Sequence, residues 1–449
     1  MAHPDILLIV LDSVRIDRMS TYGHHLETTP TLDSFADHAT VYENAITQAP
    51  WTLPSHVSMF TGLMPNEHGV TNWFRDQPNG LPSELDTLPE QLSKLGYDTA
   101  GFSNNPWVGS LSGLDRGFDE FLEWDLEISS HANELLHTTT DRIRSRLHTI
   151  LGTANRQPLF LIKRRYFTSQ LIERAQRWIE LTANRDNPTF TFLNLMEAHS
   201  PYFPPRSIFR ELGLNDPGSI EPRVLNTKLL AYVMGHGDID PIRERVLEYY
   251  DSSLLYQDKK VAALLQSMRE SDTYDDGLII ICSDHGKNLG EYNRSHHPPH
   301  YIRDVNTDVP LLVKEPHQSA SRRENSPVEL TRVYDLMLDE GGLSETLFSP
   351  DGFAFAEDFY PHTGRTHSPV THWEVLTDGE YRYVRGKEGD EYVFHHGDEV
   401  QPESSLLAWM RAGMERRKEE MEPHSGVGGP ETELSRTVER QLSDLGYLD

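Results

Sequence analysis

Apolar residues form short, continuous runs along the chain, and each run is followed by polar residues. The first run, Ile6–Leu11, lies between two aspartates and is rich in β-branched residues. This composition is typical of a strand buried on both faces of a parallel sheet. Four later runs have the same character: Thr99–Ser103, Thr189–Leu195, Leu278–Cys282 and Val309–Val313. The runs therefore predict a central sheet of buried strands.

Between these runs, apolar residues recur at three- and four-residue steps, which is the spacing of an amphipathic helix. Leu88–Leu95 is one such segment, and a longer one places its apolar positions from Leu247 to Met268 on a single face. Strands that alternate with helices predict an α/β fold. We expect a doubly wound, mostly parallel sheet with helices on both sides.

The pattern changes along the chain and predicts three parts. Residues 1–320 form the α/β domain, with a helical insertion over one sheet edge at about 123–182. Residues 321–422 form a small α+β subdomain, because His372–Leu376, Tyr381–Val384 and Tyr392–His395 resemble antiparallel strands separated by turns. Residues 423–449 form a linker and a C-terminal helix.

The composition is strongly acidic, with 70 acidic against 41 basic residues and a formal charge of -29. This charge argues against a nucleic-acid partner and resembles that of proteins soluble in concentrated salt. The single cysteine, Cys282, excludes an internal disulfide. We found neither a targeting signal at the N-terminus nor an apolar run of membrane-spanning length, so we expect no membrane span and a cytoplasmic location.

Acidic and imidazole groups follow two of the predicted strands. Asp12 follows the first strand, and Asp284 and His285 follow Leu278–Cys282. In open α/β sheets the ligand crevice lies outside the carboxyl ends of the strands, so these groups are expected to converge. A carboxylate pair with one imidazole suits Mn²⁺ or Zn²⁺ better than Ca²⁺. The alternative for each aspartate is that it only begins a turn.

A hydroxyl residue precedes a short predicted helix in the segment Ala49–Gly62, whose sequence is APWTLPSHVSMFTG. Thr52 is expected just ahead of the helix, where free N–H groups and the helix dipole favour an anion. A neighbouring metal ion would lower the pKa of its hydroxyl. The alternative is that Thr52 is only a helix cap.

The order of several segments resembles that of the sulfatase family within the alkaline phosphatase superfamily. The resemblance covers nearly the whole chain, through LLIVLDSVRIDRMSTYG, TTPTLDSFA, TLPSHVSMFTGLMPNEHGV, MEAHSPYFPP, SDHGKNLGE and QLSDLGYLD. It implies an alkaline phosphatase-like fold and one divalent metal ion. It also implies that Asp12, Thr52, Asp284 and His285 are the metal ligands, with Thr52 as the nucleophile.

The chain departs from the family pattern at three positions. Thr52 stands where sulfatases have the Cys or Ser that becomes formylglycine, so no formylglycine is expected. In this respect the chain resembles threonine-dependent relatives, which include phosphodiesterases and phosphoethanolamine or glycerophosphate transferases. His56 stands in place of the usual Arg, and Ser13 in place of a second Asp.

The resemblance also suggests roles for residues around the crevice. His199 matches the family histidine near the leaving group and is expected to act as general acid. His297 lies near the position of a Lys or His that contacts the transferred group. Asn105, His56 and Lys287 are candidates for substrate binding, although a solvated or structural ion pair is the favoured alternative for Lys287.

These observations predict a metal-dependent hydrolase that cleaves a sulfate or phosphate ester through Thr52. The metal ion would be Mn²⁺, Zn²⁺ or Ca²⁺. The substrate would be an ester of a small molecule, a glycan or a lipid head group. Two alternatives stay open: a transferase that passes the group on Thr52 to an alcohol, and an inactive relative that only binds an anion.

Overall fold

The structure is a computed structural model of the 449-residue chain. It describes residues 3–71, 80–123, 157–233, 238–291, 295–296, 302–339, 347–349, 351–359, 372–386 and 389–421. These residues form a central mixed sheet with helices on both faces and a second, antiparallel sheet near the C-terminus.

The central sheet has eight strands in the order β11-β2-β10-β7-β1-β6-β4-β5. It is mostly parallel, and only β10 runs antiparallel to its neighbours β2 and β7. The strands are β1 Ile6–Leu11, β2 Thr40–Tyr42, β4 Asp98–Ser103, β5 Glu120–Glu123, β6 Thr189–Leu195, β7 Leu278–Cys282, β10 Leu311–Lys314 and β11 Arg322–Glu324.

The two faces of the central sheet carry separate apolar cores, which explains the continuous apolar runs. In β1, Leu8 and Val10 face one core, and Leu7, Ile9 and Leu11 face the other. The helices are α1 Pro30–Ala36, α2 Thr52–Thr61, α3 Pro65–His68, α4 Leu88–Lys94, α5 Gln157–Thr182, α6 Arg206–Glu211, α7 Glu221–Val233, α8 Asp240–Glu270, α9 Asp304–Thr307, α10 Arg332–Leu338 and α11 Ser404–Glu420. Helices α2, α4 and α10 contribute to the first core, and α1, α5 and α8 to the second.

The C-terminal sheet is an antiparallel meander of five strands: β13 Ala354–Phe359, β14 His372–Thr377, β15 Tyr381–Gly386, β16 Glu391–His395 and β17 Asp398–Val400. Helix α11 packs on it through Met410 and Met414. Short pairs complete the strands, namely β3 Ala45–Ile46 with β12 Val328–Glu329, and β8 Asn288–Leu289 with β9 Ser295–His296.

The predicted fold class is confirmed, and the first strand and those at Thr189–Leu195 and Leu278–Cys282 have the predicted bounds. Of the predicted helical insertion at about 123–182, the structure describes the helix α5. There α5 packs along α8 and buries Leu171 and Trp178 in the second core. Residues 124–156 and the predicted C-terminal helix lie outside the described residues. Among the helices that the structure describes, none combines the length and apolar character needed to cross a membrane.

Candidate active site

Four neighbouring strands of the central sheet place polar side chains at their carboxyl ends. Asp12 follows β1, Asn105 follows β4, His199 follows β6, and Asp284 with His285 follows β7. These strands are adjacent in the order β7-β1-β6-β4. Because the carboxyl ends of parallel strands meet at one edge, residues far apart in sequence come together there.

Asp12, Asp284 and His285 form a buried cluster whose candidate ligand atoms lie within 4.8 Å of one another. The Asp284 carboxylate is held on one side only: its Oδ1 accepts hydrogen bonds from the backbone N–H groups of Ser13 (3.0 Å) and His285 (2.9 Å). Its Oδ2 is buried and accepts no hydrogen bond from the described residues. A buried carboxylate oxygen without a donor fits a site for a cation.

His285 has the tautomer that a metal ligand requires. Its Nδ1 lies 2.7 Å from the carbonyl oxygen of Gly286, so Nδ1 carries the proton and Nε2 carries the lone pair. Burial lowers the pKa of His285 to about 4, which keeps the ring neutral. Burial and the neighbouring Asp12 raise the pKa of Asp284 well above its usual value. The raised pKa of Asp284 describes carboxylates that favour added positive charge, and the lowered pKa of His285 keeps a nitrogen lone pair available.

Asp12 is fixed by one hydrogen bond to each carboxylate oxygen. The Ser13 hydroxyl donates to Oδ1 at 2.8 Å, and the Asn105 amide donates to Oδ2 at 2.6 Å. Ser13 therefore orients the carboxylate of Asp12. Asn105 is in turn held by the backbone N–H of Trp107, which donates to its Oδ1 at 2.9 Å. The predicted contact of Asn105 with substrate would have to use the second N–H of the same amide.

Side chains of two neighbouring elements hold the loop after β1 in place by hydrogen bonds. Ser13 has φ +61°, a conformation that is costly for a residue other than glycine. The Tyr250 hydroxyl on α8 donates to the Ser13 carbonyl and accepts from the Arg15 N–H, both at 2.8 Å. The Ser283 hydroxyl accepts from the Val14 N–H at 2.9 Å. These contacts stabilise the backbone that presents Asp12 and the Ser13 N–H.

Thr52 is the first residue of α2, and the preceding residue, Trp51, is extended. Its Oγ1 lies 3.1 Å from His285 Nε2, so the hydroxyl lies beside the Asp12, Asp284 and His285 cluster. Ser55, the other hydroxyl in the first turn, donates to the Asp284 carbonyl at 2.6 Å and contacts Thr47 Oγ1 at 2.8 Å. Ser55 thus joins α2 to the end of β7.

His56 lies beneath Thr52 and is almost fully buried. Its Nδ1 is 2.9 Å from the Thr52 carbonyl oxygen, and its Nε2 is 3.0 Å from Asn194 Nδ2. Burial lowers its pKa to about 4. Protein groups contact both ring nitrogens, so this geometry leaves neither nitrogen open for the predicted contact of His56 with substrate. His56 also supplies no fixed positive charge in place of the family arginine.

The remaining candidates lie around the same sheet edge. His199 Nδ1 is 2.6 Å from the Ser200 carbonyl oxygen. Lys287 is buried, and its Nζ lies 3.4 Å from the Ala198 carbonyl oxygen and 5.4 Å from the centre of the Tyr202 ring. Lys287 therefore reaches the loop that carries His199. His297 lies outside the described residues.

Comparison with known proteins identifies the family of the chain. The Sulfatase family model matches residues 4–339. An ulvan-active sulfatase from Formosa agariphila is 24% identical over 99% of this chain and 82% of its own length. A further sulfatase from the same organism is 21% identical over 88% of this chain and 81% of its own length.

The structure is similar to that of a phosphonate monoester hydrolase from Silicibacter pomeroyi, with a TM-score of 0.70 at 17% identity. The similarity covers 94% of this chain and 96% of that protein. The fold is therefore alkaline phosphatase-like. The chain belongs to the sulfatase family. The predictions of this family and of a hydrolase acting on sulfate or phosphate ester bonds are confirmed.

Several contributors to the site were absent from the sequence-based prediction. Asn194 is a buried amide in a strand whose other polar residues are threonines, and Tyr250 lies on the apolar face of a long helix. The Asn194 amide interrupts the run Thr189–Leu195, and this interruption was the one available signal. The role of Tyr250 depends on a partner 237 positions away, which no local pattern reveals.

Proposed function

We propose that this chain hydrolyses a sulfate or phosphate ester with Thr52 as nucleophile and one divalent metal ion as cofactor. The observation that carries the proposal is the position of the Thr52 hydroxyl, 3.1 Å from His285 Nε2 and beside the buried carboxylates of Asp12 and Asp284. A hydroxyl at a helix N-terminus and next to a metal site suits attack on an anionic ester.

The residues fit a divalent ion because Asp284 Oδ2 is buried without a hydrogen-bond donor among the described residues and the His285 ring is neutral. Asp12, Asp284, His285 and Thr52 would hold the ion. When bound, it would supply positive charge that lowers the pKa of the Thr52 hydroxyl and offsets charge on the ester. The mixture of imidazole and carboxylate favours Mn²⁺ or Zn²⁺ over Ca²⁺.

In the proposed reaction, Thr52 Oγ1 forms a bond to the sulfur or phosphorus atom and its proton passes to water. The bond to the alcohol oxygen breaks, and this oxygen takes a proton from His199. Water then cleaves the threonine ester, which releases sulfate or phosphate and restores the hydroxyl. The substrate is an ester of a small molecule, a glycan or a lipid head group.

Threonine cannot be converted to formylglycine in the way that Cys or Ser is, so we propose catalysis without that aldehyde. Asp284 Oδ1 and both oxygens of Asp12 are already fixed by hydrogen bonds. Such a preorganised site needs little rearrangement to bind an ion. Transfer to an alcohol instead of water would use the same threonine ester. An assay with and without an alcohol acceptor therefore distinguishes a transferase from a hydrolase.

The test is a screen of metal-free protein with 4-nitrophenyl sulfate, 4-nitrophenyl phosphate and bis(4-nitrophenyl) phosphate. Each substrate is assayed with Mn²⁺, Zn²⁺, Ca²⁺ or chelator, and with and without glycerol as acceptor. We expect turnover that depends on the metal ion and requires Thr52. Metal binding without turnover of any ester would instead favour an inactive, anion-binding relative. Products formed only with glycerol would favour the transferase.

A further inference from the structure

Asn194 is a buried amide in an otherwise apolar part of the central sheet. It lies in β6, between β1 and β4, with Val10 and Ser103 as its register partners. It is on the same side of the strand as Phe192 and Met196, which belong to the core beneath α2. Its side chain is fully buried.

Only one of the two polar atoms of the Asn194 amide has a hydrogen-bond partner among the described residues. Its Nδ2 donates to His56 Nε2 at 3.0 Å, whereas its Oδ1 has no hydrogen-bond partner among the described residues. A buried carbonyl oxygen without a donor lowers the stability of the folded state, and an apolar side chain of similar size would avoid this cost. A polar residue that is unfavourable for folding at this position indicates a role in function.

The hydrogen bond from Asn194 selects one form of the His56 ring. Because Nε2 accepts the amide proton, the neutral ring carries its own proton on Nδ1 and donates it to the Thr52 carbonyl, 2.9 Å away. With the amide reversed, Nε2 would carry the proton, and Nδ1 and the Thr52 carbonyl would face each other as two acceptors. The observed orientation is therefore the one that lets a neutral His56 hold Thr52.

The contact reaches the first turn of α2, where the candidate nucleophile lies. His56 also packs edge-on against Phe192, with 6.3 Å between ring centres, which fixes the plane of the imidazole. Asn194, His56 and Thr52 thus form a chain of hydrogen bonds from the middle of the sheet to the active-site helix. Its last link is a backbone carbonyl, so it orients Thr52 without occupying the hydroxyl.

We propose that Asn194 is a positioning residue, which fixes the tautomer of His56 and through it the orientation of Thr52. The inference rests on the proposed function of Thr52. It assigns a role in the reaction to a side chain that does not reach the substrate.

The experiment compares Asn194→Leu with Thr191→Val in the full chain. Thr191 is a matched control, because it is buried in the same strand and its hydroxyl accepts from the Trp178 ring N–H at 3.1 Å, away from Thr52. We expect Asn194→Leu to change the midpoint of thermal unfolding little, because it removes the unpartnered Oδ1 but leaves His56 Nε2 without its donor. The same change should lower kcat for the reactive 4-nitrophenyl ester by about 10- to 100-fold, with little change in KM. Thr191→Val should lower the midpoint and leave kcat near that of the wild type.

Two further variants distinguish the roles of the two ring nitrogens of His56. His56→Asn retains a donor near the Nδ1 position, and His56→Gln retains a polar atom near the Nε2 position. We expect the Asn variant to keep more of the wild-type kcat than the Gln variant. Nitrogen-15 NMR of labelled histidine should show a neutral Nδ1–H ring for His56 in the wild type and a loss of that single tautomer in Asn194→Leu.

The proposal is overturned if Asn194→Leu retains full kcat, if its kcat falls only in parallel with the folded fraction, or if wild-type His56 carries its proton on Nε2. Loss of the proposed function has a different signature. In that case the wild type turns over no ester, or Thr52→Ala stays active, while the NMR tautomer still decides whether Asn194 orients His56.

Discussion

His285 Nε2 and Thr52 Oγ1 lie 3.1 Å apart, although 233 residues separate them in the chain. The contact joins the start of α2 to the carboxyl end of β7. It also places the hydroxyl next to a nitrogen lone pair, because the other ring nitrogen donates to Gly286. A change at Thr52 should therefore alter the reaction without dismantling the ligand cluster.

Thr52→Ala is expected to lower kcat at least about 1,000-fold, because it removes the proposed nucleophile. Metal affinity should stay within about tenfold, since Asp12, Asp284 and His285 remain. Thr52→Ser should keep part of the activity, because the hydroxyl survives and only the methyl group that restricts its rotamer is lost. Steady-state kinetics and isothermal titration with Mn²⁺ measure these effects.

Ser55→Ala is the control for the neighbouring hydroxyl. Ser55 is occupied by the Asp284 carbonyl and Thr47, so its removal should lower stability more than it lowers chemistry. Intact mass spectrometry of protein trapped with a slow substrate, followed by peptide mapping, locates the covalent group. An adduct on Ser55, or full activity in Thr52→Ala, would refute the assignment.

His199→Gln should reduce the cleavage of poor leaving groups far more than that of good ones. An alkoxide needs a proton as it departs, whereas 4-nitrophenolate does not, so we expect a loss of about 100-fold or more for an alkyl ester and under about tenfold for the aryl ester. The slope of log kcat against leaving-group pKa becomes steeper if this is correct. An equal loss for both esters would assign His199 a role in binding or folding.

The Asp284 carboxylate is expected to lower the stability of the metal-free protein and to contribute to metal binding. Burial and Asp12 raise its pKa, so the ionised form is unfavourable in the metal-free protein. Asp284→Asn is therefore expected to leave metal-free unfolding unchanged or to raise its midpoint. It should also abolish most of the increase in midpoint that Mn²⁺ or Zn²⁺ gives the wild type. Calorimetry with and without metal tests both effects, and an equal metal shift in both proteins would contradict the proposed site.

The sequence predicted the sheet well, because its central strands are buried on both faces and appear as continuous apolar runs. Thr189–Leu195 and Leu278–Cys282 needed no partner information to be recognised. The strand at Ala354–Phe359 was missed, since Glu357 and Asp358 interrupt its apolar pattern although both are buried.

The ligand cluster could also be anticipated, because Asp12, Asp284 and His285 each follow a strand and strand ends converge. The role of His56 could not. Its chemistry depends on Asn194, which is 138 positions away, and on the burial that lowers the pKa of the ring. Likewise, the packing of the apolar residues of α5 against α8 depends on a partner helix far along the chain. Local sequence patterns do not predict contacts between residues that lie far apart along the chain.

Gly286→Ala is expected to disturb the metal cluster through the backbone. A Cβ atom at Gly286 would lie 2.1 Å from the Val305 carbonyl oxygen, and the Gly286 N–H donates to the Asn306 carbonyl at 2.8 Å. The added methyl group must push α9 away from His285, at a cost of about 1–3 kcal/mol or more in stability. We expect a lower urea midpoint together with weaker Mn²⁺ binding.

Gly352→Ala serves as the comparison for this variant. It has φ +76°, but no atom of the described residues lies within 4 Å of an added Cβ, so we expect only the backbone strain of about 1–2 kcal/mol. Metal affinity should not change there. If Gly286→Ala binds metal as tightly as Gly352→Ala, then α9 does not hold His285 in place.

Asp258→Asn should reveal a pH-dependent contribution of a buried carboxyl to stability. Asp258 accepts hydrogen bonds from the N–H groups of Thr31 (2.9 Å) and Leu32 (3.1 Å) at the start of α1, and burial raises its pKa from 3.8 to about 6. The folded state thus holds a proton that the unfolded state releases between these pH values. Its stabilising effect is complete below pH 3.8 and is lost as the pH rises through 6.

Asparagine cannot accept both hydrogen bonds, so Asp258→Asn should be the less stable protein at pH 4.5. Because asparagine does not ionise, this deficit should shrink by about 2 kcal/mol between pH 4.5 and 7.5, as the wild-type carboxyl becomes charged inside the protein. Urea unfolding across this pH range measures the difference in stability between the wild type and Asp258→Asn.

Asp216→Asn is the control of opposite sign. Hydrogen bonding to Arg206 lowers the pKa of Asp216, so the stabilising effect of this carboxylate is lost as the pH falls. A stability difference between the wild type and Asp258→Asn that stays constant or widens with pH would show that folding does not raise the pKa of Asp258.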